Sequence, residues 1–287
     1  MTTTDHARRN LRRYPFYVGG VAFYAWMPVF FLYFSQHVSL ADVLVLEAIY
    51  YATVVALEVP SGYFSDRFGR RPTLIIAAAA LVASYLAFVL AGSFAGLALG
   101  QALLAVGLSF NSGTDTSFHL ASLEAAGQSE RYAEREASLG AMTFRLGAVA
   151  ALLGGAGAVL DMRVAYGLSC VGALVALAAA LGFRRIDEPR SDASTSLVDA
   201  LSGCWRAANT RALRWLSGAA VLAIVINHIP YEFYQPYLEA LPDAPWQQAQ
   251  TPWIAGLHLA AVQLIASPIA RASARLARRF GTVPVVL

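Results

Sequence analysis

Apolar residues in this chain come in runs of about 20, separated by short polar segments. A helix crossing ~30 Å of hydrocarbon needs about that many residues. The runs predict eight spanning helices, at 15–34, 41–62, 72–92, 95–119, 141–160, 164–183, 215–238 and 253–270. Their connections alternate in character. Segments 35–40, 92–94, 161–163 and 240–251 are short or nearly uncharged, whereas 67–71, 124–136, 184–214 and 271–279 carry the charge. The pattern predicts an all-α polytopic membrane protein. Segment 184–214 follows six spans and contains Asp187, Glu188, Pro189 and Arg190, which break the apolar pattern. It reads as a linker, so the expected organisation is a six-helix bundle (1–183), a linker (184–214) and a second, incomplete bundle (215–287).

Composition agrees with burial in lipid. The chain is 57% hydrophobic and 14% charged, too little charge to cover a soluble domain of 287 residues. Charge then sets orientation. All 21 basic residues are arginine, and 20 of them, counting Arg145 with its neighbouring loop, fall on the N-terminal side of the spans; Arg163 alone falls on the other. Positive loops stay in the cytoplasm, so the expected location is the bacterial inner membrane with a cytoplasmic N-terminus. Arg8, Arg9, Arg12 and Arg13 precede a span too long for a signal-peptide core, so it reads as a retained first helix.

A net charge of +3, spread over separate loops, gives no continuous basic face for nucleic acid. Cys170 lies in an apolar run and Cys204 in a polar loop, which argues against a disulfide framework or a metal site. The chain has no nucleophile elbow, no phosphate-binding glycine loop and no histidine pair at metal spacing. No enzyme activity and no cofactor are expected.

Between the second and third spans stands Gly62-Tyr63-Phe64-Ser65-Asp66-Arg67-Phe68-Gly69-Arg70-Arg71-Pro72. This G-x-x-x-D-R-x-G-R-R pattern resembles the loop between the second and third helices of major facilitator superfamily transporters. The resemblance implies two six-helix halves that rock around a central cavity, and twelve helices, of which the chain carries about eight. It ends at Leu287 just as a ninth apolar run begins, which fits a fragment, a truncated product or a short form. The stretch from Arg275 to Pro284 echoes the 66–73 loop in degenerate form, where the family carries its second copy. The family role implied for Gly62, Asp66, Arg67, Gly69, Arg70 and Arg71 is a cytoplasmic gating loop, with Asp66 as a latch. The plainer alternative is a positive turn serving topology alone.

Several polar residues lie inside the predicted spans. Glu58 and Arg145 enter the membrane at similar depth from the cytoplasmic side and are expected to pair, as a structural clamp or a gate. Asn111, Asp115 and His119 are spaced by four, which places them on one helical stripe. Asp115 and His119 are the candidate proton-accepting pair, with polar packing or a helix end as the alternatives. The seventh span carries Asn227, His228, Tyr231, Glu232 and Gln235 between prolines. His228 and Glu232 are a candidate proton or cation site, unless that end simply sees water. Glu47, about three turns from Glu58 on the same helix, reads as reaching the outer interface, with the continuation of a polar path as the alternative. Tyr17, Tyr24 and Phe31 form an aromatic stripe that suits packing, with a binding wall as the alternative.

The resemblance implies a secondary transporter of a small organic solute, with protons and the lipid bilayer as its other partners. Proton-coupled efflux is the favoured direction. The fifth span weakens it, because the exporters' G-x-x-x-G-P-x-x-G-G becomes Ala151, Leu152, Gly155 and Ala156 after Gly147. Uptake by symport or facilitation is the alternative. From another class, a truncated membrane protein that binds a partner or oligomerises without transporting is also compatible.

Overall fold

The computed structural model describes residues 2–186, 196–241 and 248–280, without the side chains of 200, 204, 227–232, 248, 274, 277, 278 and 280. The described residues are all-α, with no strand. Eleven α-helices run in order as α1 (Thr3–Val21), α2 (Phe30–Ser35), α3 (Leu40–Phe68), α4 (Arg70–Leu90), α5 (Phe94–Asn111), α6 (Thr114–Ala125), α7 (Tyr132–Ala158), α8 (Arg163–Leu181), α9 (Leu197–Ala208), α10 (Arg211–Ala240) and α11 (Thr251–Phe280). Six helical segments are long and apolar enough to cross a membrane: α3, α4, α5 with α6, α7 with the turn before it, α8, and α11 as far as Ser273. Neither α1 with α2 nor α10 is among these six, so the expected count of eight is met only in part.

Local signals explain the helix ends. Thr2 with Asp5, Ser39 with Asp42, and Ser196 with Asp199 form reciprocal capping boxes that start α1, α3 and α9. Between α3 and α4 the chain turns on Gly69 at φ +99°, a conformation that costs a residue with a Cβ.

Two predicted spans are broken. The first stops at Val21 and resumes at Phe30. Pro28 lacks an N–H and its ring would clash with the carbonyl one turn back. The loosened backbone is satisfied from other helices. Trp26 N–H donates to Ser169 Oγ on α8 (3.1 Å). Gln235 on α10 bridges the break: its Nε2 donates to the Met27 carbonyl (3.0 Å) and its Oε1 accepts from Phe31 N–H (3.1 Å). The fourth span is interrupted between α5 and α6, where Gly113 takes φ +67°.

The first six spans pack around an aromatic core. α4 packs on α5 and α8, α3 on α5, and α1 on α8 and α6. Tyr17, Tyr33, Tyr85, Phe88 and Tyr166 are buried in it. The most extensive pairing, however, is α7 with α11. A Cβ on Gly155 would lie 2.7 Å from the Pro252 carbonyl oxygen and 3.0 Å from Gly256 Cα, so this seam depends on glycine for its close approach. By contrast α3 buries only Val43, Leu46, Ser61 and Ser65, and Val55 is 78% exposed.

At the arginine-rich end, the last carbonyls of α8 are capped by distant side chains. Arg71 Nε donates to Phe183 O (2.8 Å) and its Nη2 to Leu181 O (3.2 Å). Arg13 Nη1 donates to Gly182 O. Asn10 exchanges two hydrogen bonds with the Arg184 backbone, at 2.9 and 2.7 Å. Cations near a helix C-terminus meet both its unpaired carbonyls and its dipole.

Candidate functional site

Two polar clusters lie within the first six spans, one toward each end. The inner cluster is nearer the arginine-rich end. Tyr17 on α1 donates from its hydroxyl to Asn111 Oδ1 (2.7 Å), and Asn111 Nδ2 donates to Asp115 Oδ2 (3.3 Å). The N–H of Thr116 donates to the other Asp115 oxygen (2.7 Å). The turn at Ser112 and Gly113 separates Asn111 from Asp115, yet the two side chains still meet, as their spacing predicts.

His119, one turn beyond Asp115, goes elsewhere. Its ring is 2% exposed and stacks on Tyr14, with centroids 4.3 Å apart and planes at 16°. Tyr132 lies on another side, at 5.8 Å. Nδ1 meets the Glu136 carboxylate on α7. The expected Asp115–His119 pair is therefore replaced by two adjacent arrangements, Tyr17–Asn111–Asp115 and His119–Glu136.

The outer cluster surrounds a cavity of about 220 Å³. It lies between the break after α1, the first half of α3, and α5. Trp26, Tyr50, Phe88 and Tyr166 contribute to its aromatic wall. Glu47 and Gln101 line it too, and Gln101 Nε2 donates to Glu47 Oε1 (2.7 Å). Gln101 is 3% exposed, so the amide is fixed in the bundle. Glu47 was expected to reach the outer interface; instead it turns inward toward α5. Helix α3 is apolar on nearly every side, so periodicity does not reveal which face meets the bundle.

Glu58 and Arg145 are not brought together. Glu58 Oε1 accepts from Ser112 Oγ (2.9 Å), while Arg145 Nε donates to the Ala141 carbonyl of its own helix (3.1 Å). Both residues are exposed in this structure. Their depths match, but α3 packs on α4 and α5 whereas α7 packs on α8 and α11. The two side chains belong to different seams.

The loop between α3 and α4 places its residues unequally. Asp66 is exposed. Arg67 Nη1 donates to Tyr63 OH (2.6 Å), and its guanidinium carbon lies 5.9 Å from the centre of that ring. Arg71 reaches the end of α8, as described above. Gly62 borders open space, where a Cβ would meet nothing within 4 Å. Arg70 flanks Gly69 at the first position of α4.

His228 and Glu232 fall on α10, but their side chains lie outside the described residues. Gln235, read from the sequence as one of that polar group, is buried and holds the broken first span. The described residues contain no group of three His, Cys, Asp or Glu that could hold a metal ion.

Three participants escaped the sequence reading. Glu136 fell in a charged connection because α7 starts at Tyr132, nine residues before the predicted span. A helical continuation through Glu134 and Glu136 was the available signal. Gln101 sits alone in an apolar run and offered no pattern. Tyr14 was overlooked beside Arg12 and Arg13.

Helices of this length and apolarity, buried polar clusters between them and the loop at Asp66 are what a solute carrier of the resembled family requires. No curated protein matches the chain in a sequence comparison. A family model described as Major Facilitator Superfamily matches residues 15–287, nearly the whole chain. The chain therefore belongs to the Major Facilitator Superfamily, and is a multi-pass membrane transporter of that family.

Proposed function

We propose that this transporter carries a small organic solute outward across a bacterial inner membrane in exchange for protons. The N-terminus and the Asp66 loop face the cytoplasm, as the placement of 20 arginines on one side supports. The two halves, joined through the segment at 184–214, rock to expose the solute site to each side in turn. Asp66 acts in this motion as a latch at the cytoplasmic face, and Arg71 ties the same loop to the end of α8.

The observation that carries the proton reading is the contact of the buried His119 ring, through Nδ1, with the half-buried Glu136 carboxylate. Histidine is the side chain whose ordinary charge change falls between pH 5 and 8. A proton shared with a carboxylate from a different helix links protonation to the relative position of α6 and α7. Asp115, one turn away, adds a second carboxylate with its own donors.

Reconstitution tests the reading. Purified protein is placed in liposomes that enclose a pH-sensitive dye, and a pH gradient is imposed. Addition of a transported organic solute should collapse the gradient, and Glu136→Gln should abolish the proton movement. Solute movement with no proton movement would establish a facilitator instead. No solute movement at all would favour a protein that binds without transporting.

A further inference from the structure

We propose that the groove between α1, α7 and α8 seats an acyl chain of an anionic phospholipid, whose phosphate is held by Arg12 at the arginine-rich end. The inference goes beyond the transport reading and depends on neither its solute nor its direction.

Close helix approach builds the groove. A Cβ on Gly20 would lie 2.5 Å from the Gly172 carbonyl oxygen and 2.7 Å from Ala176 N, so α1 and α8 meet backbone to backbone there. A Cβ on Gly19 would lie 2.9 Å from Leu146 Cδ1 on α7. With no side chain at these two positions, α1 is hollowed between Phe16 and Phe23. The space is about 480 Å³, and none of its ten lining residues carries a side-chain nitrogen or oxygen. Phe16 and Val171 on its walls are 65% and 58% exposed. Helix α8 is one of the six apolar spans, so this side opens toward lipid tails.

Charge stands at one end of the groove. Residues 8, 12, 16, 19 and 23 of α1 follow helical spacing, which puts Arg8 and Arg12 on the stripe that enters the groove at Phe16. Arg12 is exposed and makes no hydrogen bond or ion pair among the described residues. Its neighbour Arg13 is engaged on the Gly182 carbonyl. The acid at the start of this helix, Asp5, is engaged in the capping box with Thr2. The end of α8 lies against the same turns: Asn10 pairs with the Arg184 backbone, and His6 Nδ1 lies 3.1 Å from the Arg185 carbonyl oxygen. Arg184 and Arg185 are exposed, and add positive charge at this end.

An apolar trough with a cationic end fits an amphiphile with an anionic head. Arginine binds phosphate through paired N–H donors, and its apolar stem lets the guanidinium reach the headgroup layer. Basic pockets between spanning helices bind such headgroups. A free phosphate would use the arginine but not the trough. A zwitterionic lipid would bring an ammonium group to the same cations. A neutral apolar solute would leave Arg12 without a role.

Native mass spectrometry of the protein purified in detergent tests this. The probes are dioleoyl phosphatidylglycerol and dioleoyl phosphatidylcholine, which share their chains, with glycerol phosphate as a head without a tail. The first phosphatidylglycerol should bind about fivefold more tightly than the first phosphatidylcholine, the contribution of one arginine near a membrane surface. Arg12→Gln should bring that ratio close to one. Arg211→Gln, at an exposed arginine that starts α10, should leave it unchanged. Val171→Trp, which fills the groove from an exposed position, should weaken phosphatidylglycerol binding severalfold. Equal wild-type affinities, an unchanged ratio in Arg12→Gln, or an equal loss in Arg211→Gln would each overturn the proposal. So would undiminished phosphatidylglycerol binding in Val171→Trp. Displacement of the lipid by glycerol phosphate would mark a site for free phosphate instead. A dimer that Val171→Trp dissociates would show that a second copy covers the groove, which overturns the proposal as well.

Discussion

The two acid-bearing clusters share the first and fourth spans, yet their surroundings differ. In the inner cluster each acid is met by donors from the protein: Asp115 by Asn111 and a backbone N–H, and Glu136 by a histidine packed flat on Tyr14. In the outer cluster an acid oriented by one buried amide borders a 220 Å³ hole walled by aromatic rings. The difference teaches what each can do. A half-buried ionisable group held by its own partners can exchange a proton, which needs almost no room. A carboxylate beside a hole can recognise something larger. Charge inside the membrane is costly in either place, and both clusters meet it with partners from the protein, the outer one also bordering a cavity.

That contrast predicts unequal responses to mutation. His119→Ala removes a buried ring from a stacked site and strips Glu136 of its partner. Truncating a buried side chain and orphaning a polar group should destabilise the protein by roughly 2–4 kcal/mol. Glu47→Gln keeps shape and hydrogen-bonding capacity beside Gln101, so its stability cost should stay within about 1 kcal/mol, as for an isosteric change at a partly open site. Thermal unfolding in detergent compares them. If Glu47→Gln were the more damaging of the two, the outer acid would be a packing element and the contrast would fail.

An acid outside the membrane gives the small end of the scale. Asp199, at the start of α9, is exposed, and hydrogen bonds from the Ser196 hydroxyl and N–H hold its carboxyl below the usual value. A lowered folded pKa adds stability above the unfolded value, near 3.9 for aspartate. That contribution is lost as pH falls through the folded value. A peptide covering 196–209 should therefore lose helicity, read by circular dichroism, as pH drops from about 5 to about 2. Asp199→Asn should flatten the response. An unchanged slope in that variant would show that the capping carboxylate does not set it.

Much of the fold was legible because lipid demands long apolar runs. The predicted spans at 72–92 and 164–183 lie within two residues of α4 (Arg70–Leu90) and α8 (Arg163–Leu181). The break after Val21 was not foreseen, since hydropathy does not register the missing N–H of Pro28. The Asn111–Asp115 contact followed from helical spacing, which is local. The partner of His119 did not, because Glu136 arrives from a different helix. Glu58 and Arg145 show the same limit: sequence gave their depth, but the direction each faces depends on which helices pack together. Glu47 was misplaced for the same reason.

The central claim is that the inner cluster carries the proton that drives exchange. Proton movement on addition of a transported organic solute to liposomes under an imposed pH gradient is the most direct measurement. The account predicts proton movement with wild type and none with Glu136→Gln. Solute movement without proton movement in wild type, or undiminished proton movement in Glu136→Gln, would contradict it.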